Sequence, residues 1–141
     1  MAKTKIGSKS YYHKKLKVAF SRYIIARDKV CQMAGKIDEV FAACGGVLQC
    51  SHIKTTKAYP NLRYDPVNAI ALCYRHHIHY WHKETGEAYK WWEKAYPARE
   101  AYIEANKEKL FHPTAQYLKE LLESIKKTTM NFYLNEGGEL T

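Results

Sequence analysis

Histidine is concentrated in one short stretch of this 141-residue chain, between Cys50 and His82. Five of the seven histidines lie inside it, namely His52, His76, His77, His79 and His82. Imidazole binds metal ions and exchanges protons near neutral pH, so this density predicts a metal or acid–base site. The stretch also constrains the fold, because the chain around it must bring histidines that are distant in sequence to one place.

Positive charge is distributed unevenly along the chain. The formal net charge is +9 and the pI is about 9.3. Residues 1–17 contain six lysines and no acidic residue, whereas Asp and Glu are concentrated after residue 84. A second basic cluster, Lys54, Lys57 and Arg63, alternates with Tyr59 and Tyr64. Basic and aromatic side chains together suit phosphate contacts and base stacking, so we expect a nucleic-acid partner.

The length and hydropathy of the chain predict a single globular domain outside the membrane. No apolar run approaches the ~20 residues that a membrane span needs. The basic N-terminus lacks the apolar core of a secretory signal, so we expect a cytoplasmic protein. In that compartment the four cysteines are thiols or metal ligands in preference to disulfides.

The sequence pattern predicts an α+β fold that is mostly helical. We expect a basic flexible tail at 1–13, a helix at 14–28, strands at 47–53 and 69–72 around a long loop, and a helix from 74–76 to about 83. Three further helices are expected at 87–95, 98–110 and 114–128, followed by a tail at 131–141. Residues 37–43 are either a short helix or an insertion. Residues 98–130 are expected to extend the domain formed by 14–97.

Two segments of this pattern resemble a known family. Asn68-Ala-Ile-Ala-Leu-Cys73-Tyr-Arg-His76-His77 is similar to the Asn-Leu-x-x-Leu-Cys-x-x-Cys-His stretch of the HNH endonucleases, and Leu48-Gln-Cys-Ser-His52-Ile is similar to their first strand. The preceding helix, which ends Arg27-Asp28-Lys-Val-Cys31, resembles the phage-encoded members. The resemblance covers residues 14–97 and implies a ββα-metal module that hydrolyses DNA phosphodiester bonds.

The resemblance also implies a role for each site residue. His52 would be the general base that activates water, Asn68 would orient His52 or fix the hairpin, and His77 would hold a divalent cation such as Mg, Mn or Ni. The family usually has Asp, Glu or His before the base, where this chain has Ser51. Cys50, Ser51 and His82 are therefore further candidate ligands, with His79 behind them, and water or Asp65 could complete the shell. On an ideal α-helix, His77 and His82 lie ~140° apart.

Many members of the family also carry a structural zinc held by two Cys-x-x-Cys pairs. Here the second pair is Cys73-x-x-His76, and the first is Cys31-x-x-Ala34 with one ligand missing. Cys44, just before Gly-Gly, could supply the fourth ligand, and such a set suits tetrahedral zinc. The alternative is a degenerate site in which the cysteines are small buried apolar residues.

The predicted partner is DNA, and membrane binding is not expected. The candidate DNA contacts are Lys54, Lys57, Arg63 and Arg75, together with the N-terminal lysines. The C-terminal helices could form a homodimer or bind a protein partner. Two other functions stay open: a non-catalytic nucleic-acid-binding protein that keeps a degenerate HNH fold, and a zinc-braced protein-interaction domain.

Overall fold

The computed structural model describes residues 4–37 and 41–136. In chain order its elements are helix α1 (Lys9–Asp28), strands β1 (Leu48–His52) and β2 (Ala69–Cys73), a π-helical segment (Arg75–Trp81), and helices α2 (Thr85–Ala95), α3 (Pro97–Asn106) and α4 (Ala115–Glu136). The protein is therefore α+β and mostly helical, as predicted. Residues 38–40, within the expected helix or insertion at 37–43, lie outside the described residues.

The chain divides into two compact units. One unit spans residues 28–111, and the other combines the segment before residue 28 with the segment that begins at His112. The sequence led us to expect a single domain in which residues 14–27 belonged with the histidine-rich stretch. The structure groups this first helix with the C-terminal helix.

Both helices of the terminal unit are longer than the sequence pattern predicted. Helix α1 begins at Lys9, so residues 9–13 of the expected tail are helical. The Ser8 hydroxyl explains this start, because it accepts a hydrogen bond from the Tyr11 backbone N–H at 3.2 Å and so caps the first turn. Helix α4 continues to Glu136, eight residues beyond the predicted end at 128. Thr129 is buried in this added part.

A two-stranded antiparallel hairpin forms the centre of the 28–111 unit. Strand β1 pairs with β2 from Leu48↔Cys73 to His52↔Ala69. Every residue of β2 is buried, as its uninterrupted apolar sequence requires. The hairpin packs in a core with residues of α2 and α3, including Trp92 and Ile103. The two predicted strands are confirmed within one or two residues at each end.

The chain after α1 runs along the free edge of β2. The Asp28 carboxylate accepts a hydrogen bond from the Ala71 backbone N–H at 2.8 Å, and the Gln32 N–H donates to the Ala71 carbonyl at 3.0 Å. These two bonds satisfy both backbone groups of a residue in the middle of a sheet edge that has no neighbouring strand among the described residues. They also fix the position of Cys31, which lies between Asp28 and Gln32.

The predicted helix after β2 is present but has π geometry. Its hydrogen bonds run from residue i+5 to residue i, as in the bond from the His82 N–H to the His77 carbonyl at 3.1 Å. Such segments are rare and occur mostly as single turns. Here the π geometry determines which of the clustered histidines face each other.

Candidate metal centre and histidine site

Three thiols and one imidazole converge at one point of the 28–111 unit. We call this group the Cys3His cluster, and it consists of Cys31, Cys44, Cys73 and His76. Their ligand atoms all lie within 4.8 Å of one another. His76 Nδ1 lies 3.2 Å from Cys31 Sγ, 3.1 Å from Cys73 Sγ and 3.8 Å from Cys44 Sγ. The set predicted from the sequence is therefore brought together.

Three local features bring together the four ligands, which are distant from one another in the sequence. The β2 edge contacts bring Cys31 to Cys73, and the three-residue step from Cys73 to His76 places the imidazole beside the Cys73 thiol. Cys44 arrives through the glycine turn that follows it, because the Gly45 carbonyl accepts from the Arg75 N–H at 2.9 Å. Gly46 has φ +82°, and a Cβ at this position would lie 2.6 Å from the Tyr74 Cβ.

The tautomer of His76 is suited to metal binding. Its Nε2 is hydrogen-bonded to the Phe41 backbone carbonyl. A carbonyl can only accept, so Nε2 carries the proton and the lone pair on Nδ1 points at the three sulfur atoms. In a tetrahedral zinc site with Zn–S of ~2.3 Å and Zn–N of ~2.0 Å, nitrogen and sulfur lie about 3.5 Å apart. The distances in the cluster bracket this value, so the four residues could bind a metal ion such as zinc.

The thiols of the cluster are electrostatically coupled. Burial and the neighbouring Cys31 raise the pKa of Cys44 to about 12, and burial also raises the pKa of Cys31. Burial acts in the same direction on Cys73, but hydrogen bonds from Gly45, His76 and the two other thiols outweigh it, and the pKa of Cys73 is lowered. One thiolate is thus favoured, and its charge opposes the ionisation of the others. A bound cation would remove this opposition.

A second site on the π-helical segment consists of two histidines, His77 and His82, which we call the histidine pair. Their Nε2 atoms lie 3.1 Å apart, and their ring centroids are separated by 4.7 Å. Two nitrogen ligands of one metal ion are about 2.9–3.4 Å apart when each bond is ~2.0–2.1 Å long. The geometry of the pair fits a chelating site.

The ~140° separation of an ideal α-helix does not apply to His77 and His82, because this segment has π geometry. A turn closed by an i+5 to i bond places residues five apart on one face. His79, which an α-helix would bring closer to the face of His82, instead has its ring 5.3 Å from that of Tyr74. Among the three candidates, the structure therefore pairs His77 with His82 and separates His79 from them.

The outer nitrogen of His77 is held by a strand residue. His77 Nδ1 lies 2.8 Å from Gln49 Oε1 on β1, so Nδ1–H donates to the amide and the Nε2 lone pair faces His82. Burial, which is the largest cause, and the nearby charges of His82 and His52 together lower the pKa of His77 to about 4. The ring is therefore neutral at pH 7, which is the form that binds metal. Sequence reasoning missed Gln49, although it is a polar residue in a short strand three positions before His52.

His52 lies at the end of β1, close enough to His77 for its charge to affect the pKa of that residue. His52 Nε2 lies 3.0 Å from the Arg63 carbonyl. The nitrogen must donate to this oxygen, so the neutral ring has its lone pair on Nδ1. Burial lowers the pKa of His52, and the positive charge of Arg63 acts in the same direction. The residue is a fixed, neutral imidazole at pH 7.

Asn68 fixes the loop that holds His52. It is fully buried, and its side chain forms three hydrogen bonds. Asn68 Oδ1 accepts from the Lys54 N–H at 2.8 Å, while Nδ2 donates to the carbonyls of Lys54 at 3.0 Å and Leu62 at 3.2 Å. Leu62 immediately precedes Arg63, whose carbonyl orients His52. Asn68 thus acts on His52 through the loop backbone.

A further side chain that the sequence did not point to supports the same turn. Arg99 on α3 donates to the carbonyls of Pro66, Val67 and Ala69 at 2.9–3.2 Å. Its guanidinium lies 5.0 Å from the ring centroid of Trp92. No local sequence signal identifies this contact, because Arg99 is about thirty residues from the turn that it binds.

The other candidate cation ligands do not join the histidine pair. Ser51 is fully buried, and its hydroxyl finds no hydrogen-bond partner among the described residues. Across residues 4–37 and 41–136, Cys50 does not form a metal-ligand group with His77 and His82. Asp65 is engaged elsewhere, since it accepts from the Val67 N–H at 3.0 Å and from the Tyr102 hydroxyl at 2.7 Å.

The predicted DNA contacts differ in exposure. Lys57 is exposed, and the Arg63 guanidinium lies 5.3 Å from the Tyr64 ring centroid. The Arg75 guanidinium lies 5.7 Å from the Phe41 ring. Lys54 is only 19% exposed, and its ammonium lies 3.3 Å from the Glu104 carboxylate and 4.6 Å from the Tyr89 ring. Its charge is neutralised inside the protein, because an acidic residue fifty positions away folds back onto it.

Comparison with known proteins gave no match to any protein-family model, curated protein or solved structure. Of the helices described, none combines the length and the apolar content that crossing a bilayer would require.

Proposed function

We propose that this chain is a metal-dependent endonuclease of the HNH type that hydrolyses DNA phosphodiester bonds. The observation that carries the proposal is the histidine pair, whose ring nitrogens face each other at 3.1 Å beside the strand that holds His52. The hairpin followed by a helical segment, with His52 on β1 and Asn68 at the start of β2, supports the ββα-metal resemblance stated above.

In this proposal His52 is the general base. Its Nε2 is fixed by the Arg63 carbonyl, and its Nδ1 would take the proton from the attacking water. A positioned base of this kind contributes about 10²–10⁴-fold in rate. Asn68 keeps the loop in place, and Gln49 fixes the His77 ring so that its lone pair faces the cation site. A bound divalent cation would supply charge stabilisation at the phosphate and the leaving oxygen.

The ligand chemistry favours some cations over others. The histidine pair provides two imidazole nitrogens, and no Asp or Glu of the described residues joins them. Imidazole suits Ni²⁺ and Zn²⁺, whereas Mg²⁺ prefers carboxylate and water oxygens. We therefore propose that Ni²⁺ supports activity better than Mg²⁺. The Cys3His cluster has a separate role in this proposal, which is to hold zinc and brace the module.

Lys57, Arg63 and the N-terminal lysines other than Lys14 and Lys15 would contact the DNA backbone. Binding by phosphate contacts releases counterions and therefore weakens steeply as salt is raised. Between about 50 and 200 mM salt, such contacts lose strength by orders of magnitude. A constant affinity for duplex DNA over this range would contradict this part of the proposal.

The test is a plasmid-nicking assay with Mg²⁺, Mn²⁺ or Ni²⁺ added to the purified protein. We expect metal-dependent cleavage that falls by about 10²-fold or more in His52→Ala, because water activation is lost. His79→Ala is the matched control, since it removes an exposed imidazole from the same segment without touching the pair. Equal cleavage by the wild type and His52→Ala would exclude the proposed base.

Ser51 favours a second candidate function. It occupies the position where the family usually has a metal ligand, and its buried hydroxyl cannot replace a carboxylate. A protein with this defect could bind nucleic acid without cutting it. Tight, salt-sensitive DNA binding by the wild type, with no nicking in any of the three metals, would select this function over the nuclease.

A further inference from the structure

A cleft of about 560 Å³ lies between α1 and α4 in the terminal unit. Its volume is within the range of about 300–1,000 Å³ that is typical of binding sites. We call it the α1/α4 cleft. Its lining residues are Lys14, Lys15, Val18, Ala19, Arg22, Lys126, Thr129, Met130 and Tyr133. Neither the Cys3His cluster nor the histidine pair contributes to it.

The cleft combines exposed apolar side chains with positive charge. Val18, Met130 and Tyr133 are 51%, 58% and 52% exposed, which is unusual for large apolar residues grouped together. Lys14, Lys15, Arg22 and Lys126 surround them, and none of the described acidic residues lines the cleft. None of these four cations forms an ion pair with a carboxylate of a described residue.

This combination identifies the chemistry of the occupant. Duplex DNA would contact the cations but would leave the apolar side chains against water or phosphate. Burial of these side chains would then contribute no binding free energy. In a two-fold dimer through this cleft, the cations of one copy would lie against the same cations of the other copy, and like charges disfavour such contacts. An amphipathic helix with an apolar face and acidic flanks would satisfy both parts of the cleft.

We propose that the α1/α4 cleft docks an acidic amphipathic helix of a partner protein. Apolar anchors on one face of that helix would cover Val18, Met130 and Tyr133, and Met130 suits this role because its flexible side chain adapts to the partner. Glu or Asp residues beside the anchors would reach Arg22 and Lys126. This inference does not depend on nuclease activity.

The experiment uses a fluorescein-labelled synthetic helix about 18 residues long, enough for five turns, with Leu on one face and Glu on the other. Binding to the full chain is followed by fluorescence anisotropy. We expect saturable binding that weakens about tenfold or more in Lys126→Glu and in Met130→Asp. Lys127→Glu is the matched control, because it makes the same charge change on α4 outside the cleft, and it should weaken binding less than about twofold.

Three outcomes would overturn the proposal. The first is equal weakening by Lys126→Glu and Lys127→Glu, which would indicate general charge attraction. The second is a larger effect of the cleft variants on duplex DNA binding than on the peptide, which would assign the cleft to nucleic acid. The third is a dimer of the wild type, detected by sedimentation, that Met130→Asp dissociates. Lys126 and Met130 are both exposed, and circular dichroism spectra would verify that each variant keeps its helical content.

Discussion

The backbone N–H of His82 donates to the carbonyl of His77, and the same five-residue step brings the Nε2 atoms of the two rings to 3.1 Å. One hydrogen-bond register therefore creates a two-nitrogen site that an α-helix with the same sequence would not contain. The predictions below follow from this site, from the Cys3His cluster and from the loop that holds His52.

The histidine pair should bind Ni²⁺ independently of the Cys3His cluster. We expect His82→Ala to weaken Ni²⁺ binding about tenfold or more, because one of two nitrogen ligands is lost. Gln49→Leu should weaken it about 10- to 100-fold, the usual effect of removing a group that orients a ligand. Isothermal titration calorimetry on protein preloaded with Zn²⁺ measures both. His79→Ala should bind Ni²⁺ like the wild type, and a loss in that variant equal to that of His82→Ala would refute the pairing.

The Cys3His cluster should hold one zinc ion per chain. Cys73→Ser should abolish this zinc and lower the melting temperature, because metal-binding energy contributes to folding. A ligand present at a thousandfold excess over its Kd stabilises the folded state by about 4 kcal/mol. Elemental analysis and thermal unfolding with and without chelator are the measurements. Cys50→Ser serves as the control and should keep the zinc; zinc retained in Cys73→Ser would contradict the assignment.

Replacing Asn68 should destabilise the hairpin strongly. Asn68→Ala removes the partners of the Lys54 N–H and of the Lys54 carbonyl, whereas the Leu62 carbonyl keeps its bond from the Asp65 N–H. Each buried group left unpaired costs about 1–3 kcal/mol. Asn68→Asp should be at least as harmful, because its second oxygen would face the carbonyls of Lys54 and Leu62. Urea unfolding of both variants measures the free-energy change. A loss below about 1 kcal/mol in Asn68→Ala would show that the loop does not depend on these bonds.

Acid should destabilise the metal-free protein through His77. Its pKa is lowered to about 4 in the folded state, whereas the unfolded chain titrates near the ordinary value of 6.5. The unfolded state therefore takes up the proton first as the pH falls. The stabilising contribution is complete above pH 6.5 and is lost between about pH 6.5 and 4. Urea unfolding across this range should show a smaller pH dependence in His77→Gln, and identical slopes in the two proteins would contradict the lowered pKa.

The parts of the structure that depend on local signals could be predicted from the sequence. The apolar run of β2 and the glycine turn after Cys44 predicted the hairpin. The Cys3His cluster was expected from the HNH resemblance, with Cys44 in place of the ligand missing at Ala34. Ser8 is a local signal of the same kind, because its capping side chain could have predicted the helix start at Lys9.

The parts that depend on distant contacts or on an unusual backbone were not predicted. The sequence named His77 and His82 as the first two candidate ligands of one cation. It did not show the π geometry of residues 75–81 that brings them together, because a pattern analysed at ~3.6 residues per turn does not reveal it. Lys54 is expected to contact DNA, and the sequence does not indicate its contacts with Glu104 and Tyr89, which only the folded chain brings near. The same is true of Arg99 and the turn it supports.

Gly46 has a consequence for the number of metal ligands. Its hydrogen-only side chain lets the turn lie against Tyr74, and Cys44 is two residues earlier on the same turn. A single added methyl group would collide with Tyr74, and the left-handed backbone at φ +82° would be strained as well. Gly46→Ala should thus displace the Cys44 thiol without changing its chemistry. The Cys3His cluster would then offer a metal ion three protein ligands and one position open to water.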